Sequence, residues 1–137
     1  MRPGGRLVLV SWQEPRRNEW FCSFVNAMTL GRPPAPPPPE APNPFAHADA
    51  ARAAQILTAA GLGDVQAHSI EEPMYFGTTA EEGYQVMSRQ LVWMAGHLAP
   101  AERSKAFERL RASLEEHEGA DGVAYGSAAW LITAHRA

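Results

Sequence analysis

The feature that most constrains the fold is a run of four apolar residues, Leu7 to Val10, close to the start of the chain. The run lies within Arg6–Trp12 and contains two β-branched valines, a pattern typical of a strand buried on both faces inside a parallel sheet. Such a strand needs a neighbour on each edge, and no strand precedes it in this sequence. We therefore expect Leu7–Val10 to present a free edge that recruits another strand.

Apolar residues at helical spacing, together with capping residues, predict four helices after this strand. We expect the helices at 18–30 with Asn18 as N-cap, at 49–60 with Asp49 as N-cap, at 79–98 with Thr79 and Glu82 as a capping box, and from Pro100 to the break at Gly119. The buried stripe expected on the second helix consists of Ala53, Ile56, Leu57 and Ala60. Two further strands are expected at Val65–Ile70 and Val123–His135.

Residues 33–44 interrupt this alternation, because they contain eight of the chain's 12 prolines. Proline lacks a backbone N–H and fixes φ, so the segment forms neither a helix nor a central strand. Two interpretations are open, an extended polyproline-type connector and a flexible flap. Docking of a polyproline-reading module is a further use, but a connector fits better because the segment joins two predicted helices.

Composition narrows the class of protein. The chain has 137 residues, 12 basic and 15 acidic side chains and a formal net charge of -3. This length predicts a single domain, residues 1–137, and the charge excludes a broadly basic protein that coats nucleic acid. No apolar run approaches the roughly 20 residues that span a bilayer, and the short run behind Arg6 is no signal peptide. We therefore expect no nucleic acid or membrane as partner, and a cytoplasmic location.

The reactive side chains show no metal-binding pattern. Cys22 is the only cysteine, which excludes an intramolecular disulfide and a cysteine-based zinc site, and it fits a small buried hydrophobe better than a nucleophile. His47 beside Asp49 is a candidate general base, although a helix-entry role fits it better. The acidic residues from Glu115 to Glu118 are interpreted as a solvated helix end. No metal site is predicted, because the five histidines lack ligand spacing: His47, His68, His97, His117 and His135.

Four stretches resemble class I S-adenosylmethionine-dependent methyltransferases. Arg2–Val10 resembles the L-[KR]-P-G-G-x-[LV] entry into the family's fifth strand, and Ile56–Val65 resembles the L-x-x-A-G-F-x-x-V entry into its sixth. Phe45–Asp49 looks like the start of the family's preceding helix, and Ala129–Ala134 is similar to its seventh strand. Leu62 replaces the usual Phe. The resemblance covers essentially the whole chain and is closest to the small-molecule type 11 branch that includes ubiquinone and menaquinone methyltransferases.

The resemblance implies an α/β fold, namely a partial Rossmann-like methyltransferase fold with a three-stranded mixed sheet in the order 5-7-6 and about four helices. It also implies S-adenosylmethionine as cofactor of the complete fold and a small molecule as methyl acceptor. The family's glycine-rich turn and acidic cofactor residue would precede Met1, and the sequence contains no G-x-G-x-G. We therefore expect no cofactor on this chain alone, which resembles the C-terminal half of a methyltransferase from a truncated gene, an engineered fragment or a split protein.

The same resemblance implies where the acceptor would bind, because residues after the fifth and sixth strands often line its pocket in this family. Aromatic side chains would form an apolar slot, and Gln13 or Asn18 would orient a polar group. The competing interpretation is that Trp12, Trp20 and Phe21 only pack the first helix on the sheet. The candidate substrate-binding residues are Trp12, Gln13, Asn18, Trp20, Phe21, Phe45, Tyr75 and Phe76.

Two other functions stay open. One is a non-enzymatic small-ligand-binding or dimerisation module derived from the same fold, and the other is an inactive fragment. The edge of Leu7–Val10 predicts a homodimer or domain swap, or pairing with a missing N-terminal half.

Overall fold

The computed structural model describes residues 2–33, 38 and 41–136. Within them the helices are α1 (Glu19–Met28), α2 (Ala50–Ala59), α3 (Ala80–Leu91) and α4 (Pro100–Glu116), with 3-10 turns at Pro15–Arg17 and Val92–Ala95. The strands are β1 (Arg6–Trp12), β2 (Leu62–Tyr75), β3 (Glu118–Gly119) and β4 (Gly122–Arg136). Half of the predicted connector or flap at 33–44, namely residues 34–37, 39 and 40, lies outside the described residues.

The chain divides into two compact units. The first, which we call the sheet unit, spans Met1–Asn18, Glu40–Glu72 and Ser127–Ala137, and it contains β1 and α2. The second, which we call the helical unit, spans Glu19–Pro39 and Pro73–Gly126, and it contains α1, α3, α4 and β3. Strands β2 and β4 contribute residues to both.

The sheet corrects the predicted fold class. Strand β4 lies between β1 and β2, and β3 also pairs with β4. The pairing is antiparallel, with Leu9 opposite Ile132 in the β1–β4 ladder. The expected Rossmann-like, three-stranded mixed sheet (5-7-6) is therefore wrong, because the sheet has four strands with antiparallel pairing, although the last strand does lie between the first and the second. The fourth strand arises because Glu118–Gly119 folds back on Gly122–Val123 as a hairpin, where the sequence pattern indicated only a break. Gly122 suits this turn because its φ is +116°, in the left-handed region.

Strand β1 has the predicted bounds but not the predicted burial. Val8 and Val10 are 53% and 65% exposed, whereas Leu7 and Leu9, which alternate with them, are half-buried. Side chains alternate between the two faces of a strand, so only one face of β1 is covered. A run of four apolar residues does not reveal this, because it is equally compatible with one covered face and two.

The helical unit has a densely packed apolar core. Its fully buried side chains include Met28, Leu110 and Leu114, and these come from α1 and α4. Apolar residues at steps of three and four from Tyr84 to Leu98 contribute to this core, because Met87 and Leu98 are buried and the other members pack against it as half-buried residues. These other members are Tyr84, Leu91 and Met94.

The helix starts are confirmed more fully than the helix faces. The Asp49 carboxylate accepts hydrogen bonds from the Ala51 and Arg52 amides at 2.9 and 3.1 Å, as an N-cap does. In α2 only Ala53 of the predicted stripe is buried, whereas Ile56 is 48% exposed. The α2 stripe is therefore wrong in part, because a helix offers several apolar positions and packing selects among them.

Capping at α3 follows half of the predicted arrangement. The Thr79 hydroxyl accepts from the Glu82 amide at 3.2 Å, which is the expected N-cap bond. The Glu82 carboxylate reaches back to the Thr78 amide at 3.0 Å instead of the Thr79 amide. The helix start is thus fixed by both side chains, with the return bond displaced by one residue.

Candidate functional site

The eight candidate substrate-binding residues fall in both units, and each is described in its own unit. The sheet unit holds Trp12, Gln13, Asn18 and Phe45. The helical unit holds Trp20, Phe21, Tyr75 and Phe76.

Gln13 is buried directly after β1 and is fully hydrogen-bonded. Its Nε2 donates to the Ser69 hydroxyl at 2.7 Å and to the Ala129 carbonyl at 2.9 Å. Its Oε1 accepts from the Arg17 guanidinium at 2.5 Å, and Arg17 also forms an ion pair with Glu71. Because both amide hydrogens and the carbonyl oxygen are engaged, Gln13 ties the end of β1 to β2 and β4. A ligand would have to displace one of these bonds to reach it.

Asn18 is buried and also bonds to the main chain. Its Oδ1 accepts from the Ala128 amide at 3.0 Å, and its Nδ2 donates to the Ala128 carbonyl at 3.2 Å. The same Nδ2 lies 3.3 Å from the Gln13 and Glu14 carbonyls. Asn18 therefore fixes the 3-10 turn to β4, and this structural role accounts for its burial.

Trp12 and Phe45 are both half-buried in the sheet unit. Trp12 lies opposite Ala129 in the β1–β4 ladder. The residues that follow Phe45 are tied to the sheet, because the Ser11 hydroxyl donates to the His47 carbonyl at 3.3 Å and the Trp130 indole donates to the Ala48 carbonyl at 2.8 Å. The segment that leads into α2 is thus anchored on β1 and β4.

Three of the four candidates in the helical unit lie together in an aromatic cluster. The Trp20 ring centroid is 5.7 Å from Phe21 and 6.2 Å from Phe76. Phe76 also packs edge-to-face on Phe24 and Tyr125, at 4.9 and 5.5 Å. Tyr75, by contrast, is 53% exposed at the end of β2. The half-buried rims of Trp20, Phe21 and Phe76 are compatible with both core packing and ligand contact.

The sequence analysis missed a cluster around His117. Its Nδ1 lies 2.7 Å from the Ser113 carbonyl and its Nε2 lies 3.1 Å from Oε1 of Glu19. The imidazole stacks on the Tyr125 ring at 3.9 Å between centroids and 13° between planes. The other carboxylate oxygen of Glu19 accepts from the Gly126 amide at 2.7 Å. Glu19 and His117 are 98 residues apart, so no local pattern pairs them.

Electrostatics in this cluster favour an ionised Glu19. The hydrogen bond from the Gly126 backbone lowers the pKa of the Glu19 carboxyl, and the bond from His117 lowers it further. Burial raises the pKa of the Tyr125 hydroxyl, which lies 2.9 Å from the Ser113 hydroxyl. The cluster therefore combines an anion, an imidazole and a neutral phenol within the helical unit.

A shallow polar groove of about 400 Å³ runs between α1 and α4 beside this cluster. Small side chains form its floor, and Arg109 and Glu116 contribute opposite charges to its lining. With charges of both signs the groove has no net preference for an anion or a cation. The groove is lined by Ser23, Asn26, Ala27, Arg109, Ala112, Ser113, Glu116 and His117. Cys22 is exposed and is not the buried hydrophobe we expected.

Among the described residues, the connection from β2 to α3 has the order strand, glycine, helix that a nucleotide-binding turn requires. A glycine that cradles a nucleotide leaves open space where its Cβ would stand. At Gly77 that position is filled by the protein itself, because a Cβ would lie 2.8 Å from the Gly83 amide nitrogen and 3.0 Å from the Thr79 carbonyl oxygen. The residues present here do not fit S-adenosylmethionine.

The described residues contain no group of three or more His, Cys, Asp or Glu side chains arranged to hold a metal ion. Every helix among them is too short or too polar to cross a lipid bilayer.

Comparison with known proteins adds no family assignment. Neither the protein-family models nor the curated proteins give a match to this sequence.

Proposed function

We propose that this chain supplies the acceptor-binding part of an S-adenosylmethionine-dependent methyltransferase that acts on a small molecule, and that a separate part binds the cofactor. The sequence resemblance in Arg2–Val10, Ile56–Val65 and Ala129–Ala134 supports this class of reaction. The observation that carries the proposal is the exposed apolar face of β1, which bears Val8 and Val10. We also propose that the protein acts in the cytoplasm.

An exposed face of this kind favours contact with further structure. Burying one valine side chain contributes roughly 1.5–3 kcal/mol, so covering both would be strongly favourable. Among the described strands, β1 is also at one end of the β1-β4-β2 order, a position at which another strand can pair. A cofactor-binding part that packs on β1 would satisfy both the apolar face and the edge.

The reaction would depend more on aligning the acceptor with the methyl donor than on chemical activation of the acceptor. S-adenosylmethionine held by the separate part would supply the methyl group, and this chain would hold the acceptor that receives it. Holding the two molecules in line accounts for much of the rate, so the chain's part is to bind and orient the acceptor. Trp20, Phe21 and Phe76, which cluster in the helical unit, are the proposed apolar contacts.

The test uses the chain purified from its own cells with the proteins that accompany it. We expect this preparation to transfer a labelled methyl group from S-adenosylmethionine to small molecules extracted from the same cells. We expect Val10→Lys to abolish that transfer, because a charge on the exposed face of β1 prevents apolar contact. Isothermal calorimetry of the isolated chain with S-adenosylmethionine should give no binding heat.

Val86→Lys is the matched control, because Val86 is 51% exposed on α3 in the helical unit and carries the same side chain. It should leave methyl transfer unchanged. Absence of transfer in the native preparation would refute the proposed reaction. Tight cofactor binding by the isolated chain would refute the requirement for a separate part.

A dimerisation module is the second candidate function, and the edge position of β1 favours it. In that case a second copy covers Val8 and Val10, and no methyl transfer occurs. Sedimentation of the isolated chain distinguishes the two candidates. A dimer that Val10→Lys dissociates and Val86→Lys does not, together with no transfer, would replace the first proposal by the second.

A further inference from the structure

We propose that Glu19, His117 and the Gly126 amide form a proton-dependent latch that holds the start of α1 to the end of α4 and the beginning of β4. All three groups lie in the helical unit. The latch closes when the His117 ring carries two protons and opens at the Glu19 contact when it loses one.

Both ring nitrogens of His117 lie next to hydrogen-bond acceptors. A backbone carbonyl only accepts, so Nδ1 of His117 must carry a hydrogen to bond with the Ser113 carbonyl at 2.7 Å. An ionised carboxylate also only accepts, so Nε2 must carry a second hydrogen to bond with Glu19 at 3.1 Å. Both bonds exist together only when the ring is an imidazolium cation.

Two contacts hold the ring in place. His117 stacks on Tyr125 with ring centroids 3.9 Å apart, and its Nδ1 bond to Ser113 persists in the neutral form. Loss of the Nε2 proton therefore leaves the ring in position and turns its lone pair toward the Glu19 carboxylate. The bond to Glu19 becomes a repulsive contact, while the rest of the cluster is unchanged.

The anion of the latch has a second hydrogen-bond partner. Glu19 is the first residue of α1, and its second oxygen accepts from the Gly126 amide at 2.7 Å. When the carboxylate loses its charge-assisted bond to His117, only one of these two bonds remains, the one from the Gly126 amide. Opening at His117 therefore weakens protection of the Gly126 amide, which makes that amide a direct reporter of the latch.

Four other charged or titratable side chains lie near the His117 ring or next to it in the sequence. Glu116 lines the groove beside His117, and Arg109 lies two turns earlier on α4 in the same groove. Glu118 is directed elsewhere, because its carboxylate accepts from the Ala80 amide at 2.7 Å. Tyr125 stays neutral through the relevant range, because burial raises the pKa of its hydroxyl. Glu19 is thus the anion in hydrogen-bond contact with the ring.

The sign of the pH dependence follows from these contacts. The pKa of Glu19 is lowered, so its contribution is present above the pKa of the unfolded carboxyl and is lost as the pH falls through the folded value. The contribution of protonated His117 is lost as the pH rises and the imidazolium gives up its proton. The latch therefore opens when Nε2 of His117 gives up its proton, and it opens again when Glu19 becomes protonated at low pH.

The experiment is native-state hydrogen exchange of the full chain by two-dimensional NMR, with the His117 ring protons followed in the same samples. As the pH is raised through the transition that the His117 ring protons report, the Gly126 protection factor should fall roughly tenfold after correction for intrinsic exchange. The midpoint of that fall should match the His117 ring titration. His117→Gln and Glu19→Gln should each remove the pH dependence.

His68→Gln is the matched control, because His68 is exposed on β2. It should leave the Gly126 profile as in the wild-type chain. A Gly126 protection factor that stays constant while the His117 ring titrates would overturn the latch. A wild-type pH dependence in His117→Gln would overturn it as well. The wild-type titration stands on its own if either latch variant does not fold.

Discussion

The two units of the chain bury different kinds of side chain. In the helical unit, aromatic and long aliphatic side chains such as Phe24, Leu110 and Tyr125 are almost wholly buried. In the sheet unit the buried side chains are small or polar, including Ala53, Ala128 and the fully hydrogen-bonded Gln13 and Asn18, with Ile132 as the large exception. Apolar burial dominates the helical unit, whereas hydrogen bonds carry more of the sheet unit.

The exposed apolar residues sharpen this contrast. In the sheet unit Val8 and Val10 lie at alternate positions of β1, so they share one face and form a local patch. In the helical unit the exposed large apolar side chains include Trp93 and Val92, at 73% and 50% in the 3-10 turn after α3. The patch on β1 differs from them because a terminal strand can also pair with another strand through its edge.

The largest expected loss of stability follows a substitution in the core of the helical unit. Leu110→Ala removes a fully buried side chain of α4 and leaves a cavity, so it should lower the free energy of unfolding by about 2–5 kcal/mol. Urea unfolding followed by circular dichroism measures the change. Val86→Ala on the exposed side of α3 is the control and should change stability by less than about 0.5 kcal/mol. Similar losses for the two variants would contradict the assigned core.

A smaller effect is expected at the polar anchor of the sheet unit. Asn18→Ala leaves the buried Ala128 amide without the Oδ1 acceptor that it now has at 3.0 Å. The free energy of unfolding should fall by about 1–3 kcal/mol, the cost of an unsatisfied buried donor. The Ala128 amide should also exchange faster with solvent. Asn26→Ala, at an exposed position of α1, should do neither. An unchanged Ala128 amide in Asn18→Ala would show that another group satisfies it.

The contrast also explains which features could be predicted from the sequence. Local sequence patterns predict where some elements begin and end. Strand β1 has the bounds that the apolar run indicates, and Asp49 caps α2 as expected. The exposure of Val10 and Ile56 was missed, because hydrophobicity shows that a side chain favours burial but not whether another element covers it. The fourth strand was missed because a two-residue strand carries no periodic signal.

The candidate site shows the same limit. Gln13 and Asn18 were selected as polar groups near a strand end, and the structure shows them engaged with the main chain. The Glu19–His117 contact was missed because it depends on the packing of α1 on α4. The only local hint was that His117 directly follows an acidic helix end. The roles of the aromatic candidates in acceptor binding stay predictions.

The smallest expected effect is at the exposed face of β1, and it tests whether that face is covered by another molecule. Val10→Thr keeps the shape and β-branching of a side chain that is 65% exposed, so in dilute solution it should change stability by less than about 0.5 kcal/mol. Ile132→Thr, on the buried face of β4 opposite Leu9, should cost more than about 1 kcal/mol. If a second copy covers β1, the cost of Val10→Thr grows with protein concentration while that of Ile132→Thr does not, because only the former change alters the association equilibrium. Unfolding measured at two concentrations a hundredfold apart separates the cases, and a concentration-independent cost for Val10→Thr would exclude self-association through this face.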